Sequence, residues 1–245
     1  MRFAGVVVAV AVIAAGCGSK SEPPPSSMGA TCGSFADAVK AEPIWLHTSD
    51  KVRLAAAAVD AGDTTVVLAH ETPGDFCGWV PTMQWLKAHG IGSLAFDFRT
   101  FGQSDSPPLA ISTHARPDLQ AAIDAARKRG AKRVIVMGAS FGGAAMLYYA
   151  PDLKDADGLI NLSGELQLSG WNFNGIDSAP HIRTPILIVG SAQDYLFDAA
   201  DAHKLYRRVA SSDKQLVVFP GALHGWDLLD RNPRARARVL AWLNR

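Results

Sequence analysis

Cysteine is scarce in this 245-residue chain, with three in all, at positions 17, 32 and 77. No two form a CxxC pair and no histidines cluster beside them, so their spacing gives no metal-site signal. Charge of one sign is lacking too. Lys and Arg total 24 against 23 Asp and Glu, a formal balance of +1, and no basic field argues for a nucleic-acid partner. Beyond the first residues no apolar run approaches the ~20 residues that a membrane-spanning helix needs. Internal repeats and a second linker are absent as well. What the chain does have is apolar mass: 48% hydrophobic residues, too many for disorder and enough for one domain that buries roughly 70% of its unfolded surface.

The start of the chain has its own character. Arg2 supplies a short positive region, and residues 3–16 are uncharged and mostly Val and Ala, which fits a secretory signal peptide over 1–16. The run ends in Ala14-Ala15-Gly16-Cys17, which resembles the bacterial lipobox, with Ala14 where Leu is commonest. That resemblance implies cleavage before Cys17 and lipidation of its sulfur, hence an exported lipoprotein anchored to a membrane on the periplasmic or cell-surface side. Two or more acyl chains, at ~0.8 kcal/mol per buried methylene, make such an anchor stable. Residues 17–41 are then expected to be a flexible tether, since Ser, Gly and the run Pro23-Pro24-Pro25 build neither helix nor core. Outside the cytoplasm the two remaining thiols, Cys32 and Cys77, read as a disulfide, with two separate buried cysteines as the alternative.

From residue 42 to the end, strand and helix alternate. Residues 44–47 and 52–59 look like an antiparallel hairpin, and short apolar runs at 65–69, 91–96, 133–137, 159–162, 186–189 and 215–219 read as strands buried on both faces. Helices are expected at 79–89, at 117–129 with Pro117 at its start, at 140–149, near 198–209 and at 234–243. This rhythm predicts an α/β fold, a mostly parallel, doubly wound, eight-stranded sheet flanked by helices. Ligands in such sheets bind beyond the carboxyl ends of the strands.

Chemically distinctive residues stand at those ends. After 133–137 comes Gly138-Ala139-Ser140-Phe141-Gly142, a G-x-S-x-G in which a serine on a sharp strand-to-helix turn requires tiny neighbours. After 186–189 comes Asp194, and after 215–219 comes His224. A serine hydroxyl is a weak nucleophile that needs a base, a neutral imidazole can accept its proton, and a buried carboxylate fixes the imidazole tautomer. Glu165, after 159–162, is the alternative acid, with Asp194 favoured; Asp198 and Asp201 suit the start of the following helix. His47, His89, His114, His181 and His203 lack any such setting.

With Ser140, Asp194 and His224 in that order, the chain over about 42–245 resembles the α/β-hydrolase fold superfamily. The resemblance implies a serine hydrolase that cleaves an ester or related acyl bond through an acyl-enzyme, with no cofactor, no metal and a small acyl substrate as partner. A non-catalytic binding lipoprotein of the same fold, or a lactone, peptide or carbon–carbon hydrolase, are the alternatives. It also implies an oxyanion hole from the backbone N–H groups of Phe141 and Thr72. The loop His70-Glu71-Thr72-Pro73-Gly74 resembles that of dienelactone hydrolases, although their nucleophile is cysteine. Glu71 is expected to pair with Arg99, the alternative being a contact with Ser140. In the family's D-x-R-G-x-G-x-S stretch, here residues 97–104, Thr100 replaces the first glycine, so a less extreme or rerouted backbone is expected there. Only residues 163–185 are available for a lid, too few for a large one. Their Leu166, Leu168, Trp171, Phe173 and Ile176, with Trp226, either pack this loop onto the sheet or form a shallow apolar wall that favours short acyl groups.

Overall fold

The computed structural model describes residues 22–108 and 111–245; the signal peptide expected over 1–16 and the lipidation expected at Cys17 lie outside them. In chain order come α1 (Met28–Cys32), β1 (Glu42–His47), β2 (Arg53–Val59), β3 (Thr64–Ala69), α2 (Val80–Ala88) and β4 (Gly92–Phe96). Next are α3 (Ile111–Lys128), β5 (Arg133–Ala139), α4 (Ser140–Tyr149) and β6 (Gly158–Leu162). A two-stranded hairpin of β7 (Gln167–Leu168) and β8 (Phe173–Asn174) leads to α5 (Gly175–Ser178) and β9 (Ile186–Ser191). The chain closes with α6 (Ala199–Arg208), β10 (Lys214–Phe219), α7 (Asp227–Arg231) and α8 (Pro233–Leu243).

Eight strands form one sheet in the order β1-β2-β4-β3-β5-β6-β9-β10, in which β2 is antiparallel to both neighbours and the rest run parallel. Central strands are apolar on both sides because both sides are covered. Val67 of β3, for example, lies opposite Leu94 of β4 and Val136 of β5, and points with Ala69 into a core shared with α3, α4 and α6. Its neighbours Val66 and Leu68 point the other way, toward α2 and α8. After β3 the chain crosses to β4 on one side and returns to β5 on the other. The crevice beyond the carboxyl ends of β3 and β5 is therefore the switch point at which such sheets bind ligands.

Two expectations change. From residue 22 onward the segment read as a flexible tether is packed on the domain. Met28, Ala36 and Val39 are buried in the same core as α2 and α8, the indole of Trp45 donates to the Pro23 carbonyl (2.8 Å), and Cys32 and Cys77 are joined by a disulfide. Prolines exclude helix but not attachment, and the bridge with a few buried side chains supplies what composition alone does not show. Second, α3 begins at Ile111, so Pro117 lies inside the helix and not at its start. Between β6 and β9 there is the β7–β8 hairpin and short helical turns, with no large lid among the described residues.

Candidate active site

Ser140 sits at the junction of β5 and α4, 4% exposed, with φ of +46°. Such a backbone is strained for any residue but glycine and lifts the side chain off the end of the strand. The turn closes only because its neighbours lack side chains. A Cβ on Gly138 would lie 2.5 Å from the Gly142 carbonyl oxygen, and one on Gly142 would lie 2.2 Å from that of Ala69. The second contact sets the start of α4 against the end of β3. At that helix start, backbone N–H groups have no intrahelical partner and a partial positive charge gathers.

Asp194 follows β9 and His224 follows β10. The Nδ1 of His224 bonds both carboxylate oxygens of Asp194, at 2.8 and 2.9 Å. The same carboxylate accepts the backbone N–H groups of Leu196 (3.0 Å) and Phe197 (3.3 Å), so it is fixed before it fixes the histidine. The buried Nε2 of His224 has no hydrogen-bond partner among the described residues. Burial alone would raise the Asp194 carboxyl, but His224 and the Leu196 N–H hold it below its ordinary value. Burial likewise opposes a charged imidazole, yet the bond to Asp194 and the charges of Asp194, Glu71 and Glu165 outweigh it and raise His224. Glu165 lies close enough to feel both residues, and burial raises its carboxyl, but the carboxylate bonded to the histidine is that of Asp194.

The loop after β3 completes the cluster, and its first two residues do opposite things. His70 is fully buried among the rings of Phe98, Phe101 and Phe141. Burial pushes its pKa down to about 4, so it is neutral; Nδ1 donates to the Glu71 carbonyl (2.9 Å) and Nε2 accepts the Phe98 N–H (3.1 Å). Glu71 does not pair with Arg99 as expected. The Arg99 guanidinium, wholly buried, is taken by Asp118 (2.6 Å) and Asp50 (2.8 Å). Glu71 turns to the histidine loop instead, where its Oε2 accepts the Trp226 N–H (3.2 Å) and occupies the space that a Cβ on Gly225 would need. Burial pushes its carboxyl up to about 7, against the pull of the Trp226 N–H and of His224. The Trp226 ring packs back in return, over Gly74 and Gly78 and edge-on to Trp79, so it ties the loops together. Thr72 lies between these anchors, half-buried.

Two braces hold this loop from behind. Asp97, at the end of β4, accepts the N–H groups of Phe76 (2.8 Å) and Gln103 (3.1 Å), while burial raises its carboxyl to about 6. Thr100 does not relax the turn: its φ is +72°, the left-handed backbone that a glycine would adopt, in a β-branched residue that is exposed. The other brace is the Cys32–Cys77 disulfide, which joins the N-terminal segment to the 3-10 turn Phe76–Trp79.

The opposite border is apolar. Leu166, Phe173 and Ile176 are buried and pack residues 163–185 onto the core. Trp171 is only half-buried, edge-on to Phe141 with ring centroids 5.0 Å apart and 6.1 Å from Phe101. Sequence reasoning missed Tyr195, which is 82% exposed with its ring centroid 5.8 Å from that of His224. It missed Ser163 as well, a buried residue at positive φ (+53°) directly after β6. Tyr195 could have been found as the residue directly after Asp194; nothing local marks Ser163. Among the described residues no group of three or more His, Cys, Asp or Glu side chains could hold a metal ion, and no helix is long and apolar enough to cross a membrane.

Comparison with known proteins agrees with this architecture. An esterase from Pyrococcus furiosus superposes with a TM-score of 0.74 at 19% identity, over 85% of this chain and 94% of that one. The enol-lactonase from Burkholderia xenovorans gives 0.68 at 13% identity, over 82% and 100%. At such identities the likeness shows the fold. In sequence, the cutinase est2 of Thermobifida alba is 31% identical over 164 residues, 62% of this chain and about half (51%) of that protein. Residues 102–244, which include Ser140, Asp194 and His224, match the dienelactone hydrolase family. The chain is a hydrolase of the α/β-hydrolase superfamily, and it belongs to the dienelactone hydrolase family.

Proposed function

We propose that this protein is a serine hydrolase that cleaves carboxylic esters, with Ser140 as nucleophile, His224 as base and acid, and Asp194 orienting the histidine. The observation that carries this is the His224 imidazole, held at Nδ1 by both oxygens of Asp194 with Nε2 unpartnered, on the same sheet edge as a serine at positive φ. Nε2 takes the Ser140 proton as Oγ attacks the carbonyl carbon. The imidazolium is stabilised by Asp194 and by the charges of Glu71 and Glu165. The carbonyl oxygen, now an oxyanion, accepts from the backbone N–H groups of Phe141 and Thr72, where the start of α4 adds its dipole. Nε2–H then protonates the departing alcohol, and a water activated by the same nitrogen releases the acid. The likeness to an esterase and a cutinase fits this chemistry.

A second reading, the opening of a lactone by the same residues, is favoured by the family match and the enol-lactonase likeness. A fluorophosphonate label combined with a screen of esters and lactones tests both. Labelling should fall on Ser140, and Ser140→Ala or His224→Ala should each cut turnover by ~10⁶, Asp194→Asn by ~10⁴. No label on Ser140 removes the serine mechanism, and collapse in Glu165→Gln with Asp194→Asn near wild type moves the acid to Glu165.

A further inference from the structure

Tyr195 has a place that packing does not explain. Asp194 Oδ1 accepts from both Leu196 and Phe197, and this tight turn pulls Phe197 fully into the core, where Gly190 leaves room for its ring. The residue at the apex is driven outward. Tyr195 is accordingly 82% exposed, and the ring contact its position gives is with His224, at 5.8 Å between centroids and 41° between planes. Exposure by itself is common on protein surfaces. An exposed aromatic set beside the imidazole by hydrogen bonds of the very carboxylate that orients that imidazole is less so.

The side of the substrate that meets this ring follows from the direction of proton transfer. In acyl transfer the imidazolium gives its proton to the oxygen of the leaving group, so the leaving group lies next to His224, while the acyl group lies on the Ser140 and Phe141 side. Resting on the serine-hydrolase reading above, we infer that Tyr195 is a specificity-determining residue for the leaving alcohol and that the site favours esters of planar, aromatic alcohols. The ring lies tilted at 41° to the imidazole and is otherwise 82% exposed, so it offers surface for offset or edge-on stacking. The acyl side has its own aromatic border at Trp171, so the two halves of the ester meet different rings.

The test holds the acyl group constant and varies the alcohol. Against 2-naphthyl and ethyl butyrate, Tyr195→Ala should lower kcat/KM for the naphthyl ester by about 3- to 10-fold and leave the ethyl ester within about twofold, as one aromatic contact allows. Tyr195→Phe should keep the naphthyl value. An equal fall for both esters would mean that Tyr195 only supports His224, and no change would mean that it touches neither; either result overturns the inference. A second measurement needs no turnover. In the Ser140→Ala protein, NMR titration with 2-naphthol should show binding that weakens several-fold in Ser140→Ala/Tyr195→Ala, and equal binding in the two overturns the inference. If neither ester is hydrolysed and Ser140 takes no label while this difference holds, the serine-hydrolase reading fails and the aromatic-alcohol surface stands.

Discussion

Residues 70–78 and residues 163–185 both border Ser140, one after β3 and the other after β6, and they are held by different forces. The first stretch is tied atom by atom: His70 to the Glu71 carbonyl and Phe98 N–H, Glu71 to the Trp226 N–H, Phe76 N–H to Asp97, and Cys77 to Cys32. The second relies more on volume, with Leu166, Phe173 and Ile176 sunk in the core and Trp171 leaning on Phe141, beside bonds such as that from the Ser178 hydroxyl to the Tyr148 carbonyl (2.9 Å). Hydrogen bonds and a covalent bridge set the direction of a backbone group, whereas apolar packing sets a shape and tolerates small shifts. In the mechanism proposed above, direction matters where the Thr72 and Phe141 N–H groups meet the oxyanion. Shape matters where acyl groups of differing length must be received.

The comparison breaks most visibly at the bridge. Replacing Cys32 and Cys77 by serine frees a separation of 45 residues, worth up to about 4 kcal/mol in the chain-entropy account. Denaturation midpoints should fall accordingly, and fluorophosphonate labelling of Ser140 should slow because the 70–78 loop loosens, while proteolysis within 163–185 is unchanged. Equal loosening of both stretches would erase the distinction.

A smaller effect should appear on the apolar side. Across p-nitrophenyl esters from acetate to palmitate, kcat/KM should peak near acetate to butyrate, since each methylene gains ~0.8 kcal/mol only while it meets a wall. Trp171→Ala should move the peak toward longer chains without altering Ser140 labelling. A steady rise to palmitate in the wild type would mean a deep tunnel in place of a short wall.

The finest probe sits within the polar loop, where His70 and Glu71 are adjacent and titrate in opposite directions. His70 is held down to about 4, so protonation in the unfolded chain weakens folding as pH falls from about 6.5 toward 4. Glu71 is held up to about 7 from 4.5, so the folded state keeps a proton that the unfolded chain has lost, and stability declines as pH rises through that window. Glu71→Gln removes the second decline while the amide oxygen still accepts from Trp226. Relative to wild type it should therefore gain about 1 kcal/mol more at pH 8 than at pH 5, after allowance for the carboxyl's partial contact with water. A pH-independent difference in thermal midpoint would show that the carboxyl is not held up by burial.

Much of this was legible in the sequence, for local reasons. The central strands announce themselves because a strand covered on both faces must be apolar throughout, as 65–69 and 133–137 are, and the glycines around Ser140 are demanded by the turn itself. Where the reading failed, the partner was distant. Glu71 meets Trp226 from 155 positions away, and no feature of His70-Glu71-Thr72 distinguishes that partner from Arg99. The segment 22–41 looks like linker by composition, and it is fastened by a disulfide, by buried side chains that include Met28, Ala36 and Val39, and by bonds such as that from Trp45 to the Pro23 carbonyl. Thr100 shows the converse error: losing a glycine did not relax the backbone, since the bond from its N–H to the Asp105 carbonyl (3.0 Å) and its flanking turns hold it at positive φ.

The reciprocal packing of Glu71 against Gly225 and of Trp226 against Gly74 and Gly78 limits how this enzyme can be rebuilt. A side chain at Gly78 would place Cβ 2.3 Å from the Trp226 ring, and one at Gly225 would reach Glu71 Oε2. Neither loop is thus a detachable module. A graft that exchanged 70–78 alone would collide with the recipient's histidine loop, and a graft of 224–226 alone would collide with the loop after β3. Variation here must travel in coupled steps, with both loops inherited or redesigned as a pair, whereas in 163–185 an open position such as Gly170, with nothing within 4 Å of an added Cβ, can change singly.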